Sequence, residues 1–315
     1  MDDEIPDDRL KLMFTCCHPT LALEAQVALT LHTLGGLSTP EVARAFLVPE
    51  ATMAKRLVRA RSKIRNAGIS YRVPPAELLP ERLEALPTVI YLIFNEGYVA
   101  TSGDTRIRQE LCGEAIRLGR VLVALLPQNA EARGLLALML LHDARRETRL
   151  NAAGEVVLLA EQDRTRWDQA KIREGIAMLD QAFTLYAPGP YQVQAAISAL
   201  HAEAATAEAT NWQQIAALYA TLAQMTPSMV VEVNRAVAVA MAWGASAGLQ
   251  QLLPLAQQAD SFYPYHAACA DLLRRTNQYA AAGAAYARAI ELCGNRAERI
   301  YLQRRRAEML TLSQA

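Results

Sequence analysis

The stretch whose reading decides the fold is Gly35–Arg65, GGLSTPEVARAFLVPEATMAKRLVRARSKIR. Ser38 is a natural helix N-cap, and Glu41, three residues on, completes a capping box. Pro40 falls in the first helical turn, where its missing N–H costs little. The pattern predicts a short helix to about Phe46, a tight turn at Leu47 and Val48, and a second helix opened by Pro49. In that second helix Met53, Leu57, Ala60 and Ile64 recur at i, i+4, i+7 and i+11, an apolar stripe that packs inward. Thr52, Lys55, Arg56, Arg59 and Lys63 occupy the opposite face. Between residues 37 and 72 the basic side chains are Arg44, Lys55, Arg56, Arg59, Arg61, Lys63, Arg65 and Arg72, against Glu41 and Glu50 alone. A capped helix, a tight turn and an exposed cationic helix predict a helix-turn-helix whose second helix enters the major groove of DNA.

That local excess stands inside a chain of 315 residues with 32 basic and 32 acidic side chains, so net charge alone excludes nothing. At 52% hydrophobic and 20% charged residues the chain buries substantial cores and is not disordered. No apolar run is long enough to span a bilayer, and the acidic start MDDEIPDDRL is unlike a signal peptide. Five cysteines, an odd number without disulfide-type spacing, point to a reducing compartment, and a cytoplasmic location is expected. Aromatics are 6% and alternating β-branched runs are nearly absent, so the fold class is all-α.

Three zones follow. Residues 1–72 form the helix-turn-helix domain, and residues 73–80, VPPAELLP, carry the prolines of a linker. Residues 81–315 form a long series of helices broken at Pro127, Pro188-Gly189-Pro190, Pro227, Gly244 and Pro264. The segment 265–292 reads as two helices joined at Thr276-Asn277-Gln278, and 211–244 repeats the layout, so a TPR-like (tetratricopeptide-type) helical-repeat domain is expected. Within this zone, 148–168 is a non-helical island with a turn at Asn151 to Gly154, either a small hairpin or an excursion. Tyr219, Trp243 and Tyr286 are read as core.

Two groups of residues carry the residue types of chemistry. Phe14-Thr15-Cys16-Cys17-His18-Pro19 pairs two thiols with an imidazole. Adjacent cysteines chelate poorly, and neither a second Cys/His cluster nor a Cys-x-x-Cys spacing is present, so a buried corner is expected, in which Phe14, Cys16 or Cys17, Leu23, Val27 and Leu31 pack. His142, Asp143, Arg146, Asp163, Arg164, Trp167 and His201 gather polar groups around the island. They are either a pocket for a ligand or partner, or an ion-pair network that ties the island to the helices. No catalytic signature, phosphate loop or metal-spaced cluster appears, so a protein without enzymatic activity, cofactor or metal is expected.

The stretch Leu37–Arg65 resembles region four of sigma-70-type factors of the extracytoplasmic-function group, through Thr52, Met53, Arg56, Leu57, Arg59, Ala60 and Arg61. More narrowly, Phe14–Pro74 with NEGY (95–98), LLALMLLHDARR (135–146), QDRTRWD (162–168), GPYQVQAAISALHAEA (189–204) and NRAVAVA (234–240) is similar to the subgroup with a C-terminal helical-repeat extension. The resemblance implies that region four reads the upstream (−35) promoter element and binds the β flap of RNA polymerase. The extension would then regulate it, alone or through a further protein. Ser38, Thr39, Arg44, Thr52, Lys55, Arg56, Arg59 and Lys63 are the DNA-binding candidates. Region two, with which such factors begin, is not found before Asp7, so these residues are expected to bind DNA and partners without starting transcription alone. The alternative is a non-sigma helix-turn-helix regulator with a helical-repeat sensor, which would not need the polymerase flap.

Overall fold

The computed structural model describes residues 8–46, 48–69, 86–99, 105–152, 155–294 and 296–313. The expected linker, 73–80, lies outside the described residues. The described residues are helical and hold no strand, as an all-α reading requires; one isolated antiparallel bridge joins Leu150 and Val156. The chain divides into two compact units, Met1–Met139 and Leu140–Ala315.

The first unit is built on α1 (Asp8–Cys16), α2 (Leu23–Thr33), α3 (Thr39–Ala45), α4 (Glu50–Asn66), α5 (Leu86–Val99), α6 (Thr105–Leu125) and most of α7 (Ala130–Asp143). α2 is its centre: Gln26 through Leu31 are all buried, the signature of a helix covered on every side. α1, α3 and α4 pack on it, and so does α5, which contributes Leu86, Val89, Ile90, Ile93 and Phe94 to the core. α5 in turn packs along α6.

The FTCCHP corner is structural. Phe14, Cys16, Cys17, Val27 and Leu31 are buried, whereas Leu23 is 45% exposed and Leu21 takes the inward position expected of it. The cause is the turn: α2 starts only at Leu23, so Leu21 lies in the loop that closes over the core. His18 builds that loop by accepting the Thr20 N–H at Nδ1, 3.1 Å away. Gln26, buried in α2, donates to the Leu21 carbonyl at 2.9 Å. Burial pushes both thiols up to about 12, against weaker lowering by hydroxyl contacts, so neither is a thiolate at neutral pH.

The second unit runs through α8 (Gln169–Phe183), α9 (Pro190–Glu203), α10 (Trp212–Met225), α11 (Met229–Trp243), α12 (Ala245–Leu252), α13 (Tyr263–Arg275), α14 (Tyr279–Leu292) and α15 (Arg296–Leu312). Its core is a succession of apolar clusters. Val193, Ile197, Ile215, Leu222, Val231 and Ala238 form one. Val233, Ala236, Ala240, Leu252, Tyr265 and Leu272 form the next, and Ala270, Ala282, Tyr286, Ala289, Leu302 and Met309 another. α11 and α13 each supply residues to two clusters, because a helix in a stack shows opposite faces to its two neighbours. The expected junction at Thr276-Asn277-Gln278 is present. Asn277 takes the left-handed conformation, φ 60°, while its N–H bonds Arg274 O and that of Gln278 bonds Leu273 O, which is a Schellman cap. Tyr219 and Tyr286 are in the core as expected, but Trp243 is 57% exposed, because it ends α11 just before Gly244 turns the chain at φ 101°.

Candidate nucleic-acid interface

The helix-turn-helix is set by local rules. At the start of α3 the Glu41 carboxylate reaches back to accept the Ser38 N–H at 2.7 Å, the second half of a capping box. The Ser38 hydroxyl also turns to that carboxylate, at 2.6 Å. The chain re-enters a helix with Pro49 as N-cap and Glu50 as the first helical residue. α4 then runs to Asn66 and stops on Gly68, at φ 61°. There the Gly68 N–H bonds Arg65 O and the Ile69 N–H bonds Ile64 O, a second Schellman cap.

Met53, Leu57 and Ala60 of α4 are buried against α2 and α3, so the opposite side faces outward. Thr52, Lys55, Arg59 and Lys63 are exposed there and Arg56 is half-buried. With Leu21, Ala22 and Ala25 they line a cleft of about 340 Å³ between the start of α2 and the length of α4. The candidates of α4 are thus brought to one wall with an apolar floor. Ser38 and Thr39 sit at the start of α3; the Ser38 N–H is already used by Glu41. Arg44 lies in α3, and its side chain is outside the described residues.

Four features escaped the sequence reading. The Glu24 carboxylate, 72% exposed on α2, forms an ion pair with Arg56 Nη1 at 3.1 Å. The Arg56 guanidinium also lies over the Phe46 ring, 5.7 Å from its centre. Lys63 donates to the carbonyl of Thr20. Charge pairing across 32 residues has no short-range pattern that would reveal it. The remaining feature, Val58, is legible once the helix is drawn: it is 60% exposed between Lys55 and Ser62, an apolar side chain in a cationic row.

The residues grouped around the island fall into separate sets. Asp143, buried at the end of α7, is paired with Arg146 and with Lys171 Nζ at 2.9 Å. Asp163 points away and caps its own turn, accepting the Thr165 N–H at 3.0 Å. Arg164 donates to the carbonyls of His201 and Ala204 at 2.6 and 2.7 Å, closing the last turn of α9, and lies 4.9 Å from the Trp167 ring centre. Trp167 donates its indole N–H to Thr148 at 2.9 Å. His142 Nε2 meets Ser198 Oγ of α9 at 3.0 Å. Burial, then the charges of Arg145 and Arg149, hold His142 well below the usual imidazole range. Burial, then Arg145 and Arg164, pushes His201 down to about 4. Both rings are therefore neutral at neutral pH. Much of this group is the network that ties the island down. Around Leu150–Val156 the island is an excursion held by one bridge and by Asn151 accepting the Glu155 N–H; residues 153–154 are outside the described residues.

Residues 11–64, which contain α2, α3 and all but the last turn of α4, match sigma-70, region 4. The chain therefore carries a sigma-70 region 4 domain, and with it a general tie to promoter recognition and RNA polymerase. Residues 82–183 match a family of unknown function, DUF6596. The uncharacterized protein R00370 of Rhizobium meliloti (strain 1021) is 44% identical over 297 residues, 94% of this chain and 70% of that protein. The chain belongs to one family with it. In this region 4 protein the cationic wall of α4 is thus part of a domain of matching type, while the island lies in the segment whose family has no assigned function. Among the described residues no helix is long and apolar enough to cross a membrane.

Proposed function

We propose that the protein is a sigma factor of the extracytoplasmic-function group. Region 4, within residues 1–72, recognises the upstream (−35) promoter element and the β flap of RNA polymerase. Residues 81–315 form a TPR-like extension that regulates it, directly or through a further protein. The observation that carries the reading is the row of exposed cations on α4, seated on a buried apolar stripe and flanked by an open cleft. A helix so presented fits the major groove, where Lys and Arg neutralise phosphates and reach guanine N7 and O6. Thr52, Lys55, Arg56 and Arg59, nearest the helix N-terminus, read bases or their flanking phosphates in this proposal. Val58 offers an apolar contact to a thymine methyl group. Lys63 and Arg44 add backbone contacts, and Thr39 opens α3 toward a phosphate. The shared helices of the successive clusters support a repeat array in the extension.

The test is fluorescence anisotropy with promoter duplexes over a salt series. Arg59→Ala and Arg56→Ala should each weaken binding by about 1–3 kcal/mol if the lost contact is to a base, or lower the salt slope by about one if it is to phosphate. Unchanged affinity and slope in both variants removes α4 from the interface. Binding of the same protein to the isolated β flap separates a sigma factor from an ordinary helix-turn-helix regulator.

A further inference from the structure

We propose that the second unit holds a binding site for a small-molecule oxyanion, a carboxylate or a phosphate, formed by Arg145, Arg164 and His201 beside the end of α7. The local carboxylates are engaged elsewhere. Asp143 is spent on Arg146 and Lys171, Asp168 on the backbone N–H groups of Ala170 and Lys171, and Asp163 on Thr165. Glu155 accepts from Asn151, which holds it at the tip of the excursion. Glu208 is the acid that acts on Arg164, and it is exposed.

What these acids leave behind is cationic. Arg145, half-buried at the turn after α7, makes no side-chain hydrogen bond or ion pair among the described residues. Its charge acts on both His142 and His201, and the charge of Arg164 acts on His201, so the groups lie within electrostatic reach of one another. His201 Nδ1 is buried and has no hydrogen-bond partner among the described residues. A buried imidazole nitrogen without a partner forfeits a hydrogen bond that water would have given it. Burial first, and then the positive charges around them, keep both imidazoles neutral. A neutral ring with its proton on Nδ1 donates to an oxyanion, and the two guanidinium groups supply charge and paired N–H donors to the same oxygens. Arg164 is already fixed for this by the carbonyls of His201 and Ala204, and its stacking on Trp167 holds the guanidinium plane. The inference stands independently of promoter binding.

Two of the three tryptophans report on this place. Trp167 lies against Arg164, and Trp212 meets His201 edge-on with ring centres 5.1 Å apart. The experiment uses the full chain carrying Trp243→Phe, which removes the exposed third ring. Inorganic phosphate and malonate are titrated separately at constant ionic strength, with chloride as the reference, while tryptophan fluorescence and thermal midpoint are followed. A saturable fluorescence change with a raised midpoint is expected for at least one of them, and which one distinguishes a phosphate from a carboxylate ligand. Arg145→Ala should weaken that response roughly tenfold, the loss of a charge-assisted contact. Arg145→Lys should restore part of it, and Arg166→Ala, at an exposed neighbour, should leave it intact. Circular dichroism confirms that each variant is folded. No response to either anion beyond chloride, or a response that Arg145→Ala leaves unchanged, overturns the site.

Discussion

α4 and the island are both rich in arginine, yet they use it in opposite ways. On α4 the cations are presented to solvent along a rigid helix, and one glutamate from another helix touches the row at its edge. Around the island, Arg146, Lys171 and Arg164 are folded inward and spent on a carboxylate, carbonyls and an indole ring. The difference is set by what each helix must bury. α4 needs its apolar stripe against α2, which forces the charged side outward. In the island the apolar run Val156–Leu159 is only half-buried, so polar groups share the anchoring, and buried polar groups demand partners. Similar composition thus gives an exposed cationic face in one place and mostly internal stitching in the other.

The contrast breaks most sharply at Asp143. Its removal leaves Arg146 and Lys171 facing a buried gap, and Asp143→Ala should lower stability by about 3 kcal/mol in urea denaturation, the cost of losing one partner of a buried pair. DNA affinity of the folded fraction should not change. If affinity falls in step with stability, the island is not separate from the interface.

The buried imidazoles give a pH signature to the same region. His201 titrates near 4 in the folded protein against an ordinary 6.5, so the unfolded chain binds its proton more tightly. Its contribution is complete above pH 6.5 and is lost as pH falls toward 4. Urea midpoints at pH 7 and pH 5 should therefore differ less in His201→Gln than in the parent. An equal loss in both would mean that His201 is not held neutral by burial.

The smallest effect sharpens the reading of α4. Glu24 is mostly exposed, and such a pair is worth about 0.2–1 kcal/mol. Glu24→Gln should release Arg56 and remove a negative charge from the cleft rim. Affinity for promoter and for random duplex should both rise about two- to fivefold, and the gain should vanish in the Arg56→Ala background. A gain that persists there would place the effect in the overall field and not in the pair.

Much of this was legible in the sequence because it is local. The capping residues Ser38 and Glu41, Pro49 at the second helix start, the Met53–Leu57–Ala60 stripe and the Thr276–Gln278 junction all act within a few residues. What stayed hidden joins distant parts of the chain or depends on a helix end. Glu24 with Arg56, Lys63 with Thr20, Arg164 with His201 and the Trp167–Thr148 bond follow from packing alone. Periodicity puts Leu23 inward and Trp243 in the core because it says which side a residue takes but not where its helix starts or stops. Region 4 itself was recognisable from its residues; the role of the segment 82–183 has no comparable motif.

The central place of α2 has a practical consequence. One helix serves as a common wall for the α3–α4 pair and for α5. A fragment cut after residue 72 would keep α3 and α4 but strip α5 from the far side of that wall, laying bare apolar surface that the full chain covers. Such a truncated piece should self-associate or need a solubilising fusion, so region 4 here is better excised together with α5 and α6 than as a minimal domain.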